Sequence, residues 1–165
     1  MKVLVAGSSG FVGTALKLSL VNDGHDLMTL VRHVPEDRSS IQWDPSTGLL
    51  PALDSFELDA VINLAGENVA AGRWTAKRRD RLRQSRVLST TTLCDALDKM
   101  SRPPSVLINA SAVGFYGDCG ARILTEESPP GRDFLALLSQ EWERVANAPA
   151  ARGTRVVALR FGMVL

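Results

Sequence analysis

Strand-like and helix-like hydrophobic runs alternate along the chain. From Lys2 to Ala6 the run is apolar after its first residue, as in a strand buried on both faces of a parallel sheet. Helical spacing then takes over: Val12, Ala15, Leu16, Leu18 and Leu20 predict a helix of about three turns from Phe11, stopping at the Asn22-Asp23-Gly24 break. Asp26 to Val31 reads as a second strand. Ser40 to Trp43 is a short third one, closed by the turn residues Asp44 to Gly48. The apolar run from Leu58 predicts a fourth strand ending in Asn63-Leu64-Ala65-Gly66, and the spacing from Thr75 to about Met100 predicts a long helix. Pro103-Pro104 ends that segment, and Ser105 to Ala110 makes a fifth strand. Asp133 caps a helix from Phe134 to about Asn147, and Arg155 to Arg160 is the sixth strand.

The first strand-to-helix junction carries candidate chemistry. Gly7, Gly10 and Gly13 punctuate it, so free backbone N–H groups and a positive dipole end face whatever the loop binds, an arrangement that receives a pyrophosphate. Gly7 suits the tight turn, Gly10 a close approach of phosphate, and Gly13 close packing of helix on strand. At the end of the second strand, where such folds meet the adenosine ribose, stands Arg32 rather than an acidic residue. A basic side chain there can pair with the 2′-phosphate of NADP, which makes NADP(H) the expected cofactor over NAD(H); a solvated loop arginine is the alternative. His33 reads as a plain loop residue, and Trp43 or Asp44 either touches the base or, for Trp43, joins the core. Ser111 and Tyr116 lie at the carboxyl end of the fifth strand, where open α/β sheets place chemistry, and could polarise a carbonyl or hydroxyl oxygen; a turn serine and a packing tyrosine are the plainer reading. The stretch from Thr125 to Gly131 is a loop placed to serve as a lid.

Composition narrows the classes. With 165 residues, 45% apolar and 22% charged, the chain fits one soluble domain with a single sizeable core. A formal net charge of +1 argues against a general nucleic-acid binder, although Arg73, Lys77, Arg78, Arg79, Arg81, Arg83 and Arg86 crowd the first half of the long helix. Most such runs are solvated helix faces; Arg86 is the exception, placed where a side chain can point back to the cofactor cleft. No apolar stretch reaches the roughly 18 residues of a membrane span, and the first twenty residues lack a signal-peptide layout, so a cytoplasmic or organelle-matrix location is expected. Cys94 and Cys119 are not spaced as metal ligands, and His25 and His33 sit near neither, so no metal is expected.

Five motifs in order resemble one family: Gly7 to Gly13, Asn63 to Asn68, Ser85-Arg86, Ser111 to Gly117, and Glu127 to Gly131. The family is the atypical or extended short-chain dehydrogenase/reductase group described as nucleoside-diphosphate-sugar-epimerase-like, sometimes labelled a cell-division inhibitor. The likeness implies a Rossmann-type doubly wound parallel sheet of about six strands in the order 3-2-1-4-5-6, and NADP(H) binding. Gly7, Gly10, Phe11, Val12, Gly13, Arg32, Leu64, Ala65, Gly66, Glu67 and Ser111 match positions around the cofactor. Family members are longer and place a smaller substrate-binding region after the sixth strand. The resemblance thus implies that residues 1–165 are the NAD(P)-binding domain and that the substrate-binding region is absent from this chain. A small-molecule substrate is implied, a sugar nucleotide among the candidates, and a homodimer is compatible with the likeness.

The catalytic signature departs from the wider superfamily, which pairs its serine with Tyr-x-x-x-Lys. Tyr116 is the only tyrosine, position 120 is Gly, and the lysines are Lys2, Lys17, Lys77 and Lys99, so no such pair exists. Arg86 takes roughly the place of an asparagine. Two readings follow. In one, an NADP-dependent epimerase-like oxidoreductase uses Ser111, Tyr116 and Arg86 as its catalytic groups; in the other, a non-catalytic NADP(H)-binding module senses the cofactor and passes its state to a partner.

Overall fold

The computed structural model describes residues 1–164. Its order is β1 (Lys2–Ala6), α1 (Phe11–Asn22), β2 (Asp26–Val31), β3 (Ser40–Gln42), β4 (Ala60–Asn63), α2 (Ala76–Asp98), β5 (Val106–Ala112), α3 (Phe134–Ala146) and β6 (Arg155–Phe161). The strands form one parallel sheet in the order β3-β2-β1-β4-β5-β6, the order the resemblance implies.

Alternation along β1 explains the layering. Leu4 and Ala6 face a core shared with Met28, Leu30, Val61, Leu107 and the α2 residues Leu93, Cys94 and Leu97. Val3 and Val5 face the other way, with Ala60 and Ile62, and Leu16 and Leu20 of α1 cover them. Successive side chains of a strand point to opposite faces, so a strand covered on both sides must be apolar throughout. Leu18 of α1 takes no part and is exposed. Trp43 joins the first core cluster, which decides its role in favour of packing. Both long helices carry the caps their sequences suggest: the Thr75 hydroxyl accepts from the Arg78 amide at 3.2 Å, and the Asp133 carboxylate from the Ala136 amide at 2.9 Å.

Several strand boundaries differ from the sequence reading, among them the carboxyl ends of β4 and β5. β4 stops at Asn63: the Leu64 amide still donates to the Ala6 carbonyl at 2.9 Å, but the Asn63 side chain turns back to accept from the Ala65 amide at 3.2 Å, and Ala65 and Gly66 leave the ladder. β5 runs on to Ala112, because β6 continues beside it, pairing Ser111 with Arg160 and Ala112 with Phe161.

Cys94 lies within the core, and burial pushes its thiol up to about 12. Cys119 is half-buried in the loop after β5. Thiol-reactive labelling of the native protein near pH 8 is expected to modify Cys119 and to spare Cys94 until the chain unfolds, since the thiolate is the reacting species. Peptide mapping that finds Cys94 modified at a comparable rate would contradict this packing.

Candidate functional site

The strand order reverses between β1 and β4, and a cleft opens there at the carboxyl ends of the strands, the place where open α/β sheets bind ligands. Gly7 adopts φ +80°, and a Cβ on it would lie 2.7 Å from the Leu64 carbonyl carbon, so the β1–α1 loop and the chain after β4 touch backbone to backbone. A Cβ on Gly13 would fall 2.2 Å from the Gly7 carbonyl oxygen, which fixes the first turn of α1 against that loop. Gly10 is the helix N-cap, exposed and without a side chain to occupy the first N–H groups. A Cβ there would meet only the Gly7 carbonyl oxygen, at 3.4 Å. The space in front of Gly10 and the N–H groups behind it suit a phosphate group. Phe11 stands out into solvent beside it, at 74% exposure.

A pocket of about 390 Å³ extends from Val12 across Leu64, Gly66 and Glu67 to Ser111 and Ala112 of β5 and Leu138, Ser139 and Trp142 of α3. Behind this lining, and reaching it through Trp142, lies a buried polar network. Asn63 Nδ2 donates to Asn109 Oδ1 at 2.7 Å and to the Thr90 hydroxyl at 2.9 Å, and Trp142 Nε1 donates to the same hydroxyl at 2.8 Å. These bonds tie the ends of β4 and β5 to α2 and α3. A polar group buried without them would cost about 1–3 kcal/mol each.

Glu67 gathers the basic half of α2. Its Oε1 accepts from Arg78 and, at 2.7 Å, from Arg81, and Arg78 also donates to the Asn68 carbonyl. Arg83 pairs with Glu141 of α3. Much of the basic run is thus spent on fixing the loop after β4 and on joining two helices. Arg86 differs. It lines the pocket, half-buried, donating to the Glu67 carbonyl at 3.0 Å and the Leu82 carbonyl at 3.2 Å, with its guanidinium 5.2 Å from the Trp142 ring centre. Burial draws its pKa below the ordinary arginine value, partly countered by Glu67.

Ser111 and Tyr116 do not face the cleft together. The buried Ser111 lines the pocket, and its hydroxyl donates to Glu143 Oε1 at 2.6 Å. Tyr116, also buried, lies outside the pocket lining; its hydroxyl accepts from Arg160 Nη1 at 2.7 Å. Arg160 is the hub. It grips Glu143 by two bonds, Nε to Oε1 at 2.8 Å and Nη2 to Oε2 at 2.9 Å, and stacks 3.5 Å from the Phe115 ring centre. The bonds to Glu143 raise the Arg160 pKa further above its ordinary range. Sequence reading missed Glu143, Arg160, Trp142 and the two asparagines. The signals available were an arginine closing an apolar strand and Ser139 and Glu143 one turn apart on α3, at the spacing of the missing tyrosine–lysine pair.

Arg32 stands just beyond β2, exposed, and among the described residues it forms no ion pair. Asp44 turns to Ser46 instead, whose hydroxyl and amide hold its carboxyl below the usual carboxylate range. The segment from Thr125 to Gly131 is anchored at its far end, where the Gly131 amide donates to the Phe115 carbonyl at 2.9 Å. Among the described residues no helix is long and apolar enough to cross a membrane.

The sheet order, the glycine junction and the cleft at the switch point define a nucleotide-binding Rossmann domain. A model of the NAD dependent epimerase/dehydratase family matches residues 3–162, and the chain belongs to that family. An epimerase family protein of Mycobacterium leprae is 37% identical over 163 residues, covering 99% of this chain and 52% of its own length. The structure of human epimerase family protein SDR39U1 (isoform 2) with NADPH superposes with a TM-score of 0.85 at 34% identity, over 100% of this chain and 55% of that one. A nucleoside-diphosphate sugar epimerase from Corynebacterium glutamicum gives a TM-score of 0.80 at 38% identity, over 97% of this chain and 33% of that one. MoeE5 in complex with UDP-glucose and NAD gives 0.77 at 26% identity, over 98% of this chain and 54% of that one. The chain spans about half the length of the curated relatives it matches.

The Glu143–Arg160 pair is four-fifths buried on both sides. Glu143→Ala should therefore destabilise the fold towards the lower end of the roughly 3–5 kcal/mol that breaking a buried pair costs. Glu143→Gln, which keeps an acceptor for Ser111, should cost less. Urea denaturation measures both, and a loss under about 1 kcal/mol for the alanine variant would contradict the hub.

Proposed function

We propose that this chain is the cofactor-binding part of an NADP(H)-dependent, epimerase-like oxidoreductase that acts on a small molecule, with sugar nucleotides the first class to test. The observation that carries this reading is the junction at Gly7, Gly10 and Gly13, where the backbone is packed open-ended at the switch point of the sheet. The NADPH in the human relative and the UDP-glucose and NAD in MoeE5 support it. Bound there, the nicotinamide would supply a hydride donor or acceptor. Phe11, Val12 and Gly13 would offer main-chain N–H groups to the pyrophosphate. Leu64, Ala65 and Gly66 would pass close beneath the cofactor, and Glu67, held by Arg78 and Arg81, would fix that wall.

Arg32 would read the 2′-phosphate, as an exposed guanidinium at the end of β2 with no carboxylate partner among the described residues. Ser111 would be the group that meets the reacting oxygen, and Arg86 would supply positive charge in the same pocket. Because the Ser111 proton is committed to Glu143, its oxygen would present lone pairs to the pocket, which favours a ligand hydroxyl as partner. Tyr116 would act through Arg160, as a support for Glu143 rather than as an acid or base. Phe161, at the end of β6, and Val164 beyond it also line the pocket.

Fluorescence titration with NADPH and NADH tests the cofactor assignment. Wild type should bind NADPH more tightly than NADH, and Arg32→Ala should lose about tenfold in NADPH affinity with NADH little changed. Equal NADPH affinity in the variant would remove Arg32 from recognition, and no binding of either dinucleotide would remove the cofactor.

A further inference from the structure

Three arginines of α2, Arg78, Arg81 and Arg86, converge on the loop that carries Glu67, and one carboxylate cannot balance them. Glu67 Oε1 is taken by Arg78 and Arg81. Every contact of the Arg86 guanidinium is to a neutral acceptor: the Glu67 carbonyl, the Leu82 carbonyl and, at 3.5 Å, the Ser85 hydroxyl. A guanidinium has five N–H donors, so these three bonds leave two without a protein acceptor among the described residues. Gly66 keeps the approach open, since a Cβ there would sit 3.3 Å from Arg86 Cζ and crowd the guanidinium. The Trp142 ring, its centre 5.2 Å from the guanidinium, attracts the cation without neutralising it. The result is an unbalanced positive charge in the wall of a largely apolar pocket, with donors to spare and Ser111 and Ser139 in the same lining.

We infer that Arg86 is an anion-binding residue of this pocket and that its ligand is a phosphate group. Planar guanidinium donors match phosphate oxygens, and the low-dielectric surroundings strengthen the attraction. The phosphate has two sources, the pyrophosphate of the dinucleotide or that of a nucleotide-linked substrate. Both rest on the reading under Proposed function. Either way the contact differs from the one assigned to Arg32, which lies at the other side of the sheet's switch point, beyond β2.

The test compares wild type, Arg86→Gln and Arg86→Lys by calorimetric titration with NADPH, and with UDP both in the absence of NADPH and at saturating NADPH. If the phosphate is the cofactor's, Arg86→Gln weakens NADPH about tenfold or more. If it is a substrate's, NADPH affinity is kept and UDP affinity falls by a similar factor. Arg86→Lys, which keeps the charge and loses the fork, should fall between wild type and Arg86→Gln, and it decides the matter if the glutamine variant is too unstable to titrate. Unchanged affinity for both ligands in Arg86→Gln, or UDP undetectable in wild type with NADPH unaffected by the substitution, overturns the inference. Failure of wild type to bind NADPH would instead defeat the cofactor assignment and leave the UDP titration of the free protein to decide Arg86.

Discussion

The structure depends on a backbone-to-backbone approach. At Gly7 the first loop turns with positive φ and lies against Leu64 and Ala65, and at Gly13 the first turn of α1 closes on the Gly7 carbonyl. A side chain at Gly7 would push the β1–α1 loop away from the chain after β4, and one at Gly13 would push α1 off that loop. With that contact made, the central strands meet in register, the N-terminus of α1 points across the switch point, and the pocket acquires Val12 as one wall. Fold and candidate site are therefore one constraint: the glycines that permit close packing also leave main-chain donors uncovered.

The second layer of organisation is polar and buried. Thr90 of α2 receives bonds from Asn63 of β4 and Trp142 of α3, and Asn63 reaches Asn109 of β5, so four elements meet at a few hydrogen bonds. A shell further out, Arg160 of β6 holds Glu143 of α3, which holds Ser111 of β5. Such contacts demand specific partners where apolar packing tolerates exchange, so they set the orientation of side chains around the pocket. Ser111 lines the pocket with its proton already committed, and this follows from α3 and β6 rather than from its own strand.

Much of the architecture was legible in the sequence. Uniformly apolar runs at β1 and β4, helical spacing from Phe11 and from Thr75, and caps at Thr75 and Asp133 each follow from local rules that tertiary structure did not override. Strand ends were less legible. β4 ends at Asn63, whose own side chain turns back to the Ala65 amide, and β5 lengthens because β6 continues alongside, a fact located some fifty residues away. At the glycine junction the backbone was legible, because a tight turn at Gly7 and a close approach at Gly13 are local matters. The site was not legible at Tyr116, whose hydroxyl is claimed by Arg160, or in the basic run of α2, where Glu67 and Glu141 consume charges that look free in one dimension. What a polar side chain does depends on which partner the fold delivers to it.

The most direct test of the central claim is a crystal structure of the protein grown with NADPH. The account predicts pyrophosphate oxygens about 2.7–3.2 Å from the main-chain nitrogens that follow Gly10, with Gly7 and Gly13 still in contact behind them. NADPH bound elsewhere, with its pyrophosphate away from the first turn of α1, would contradict it.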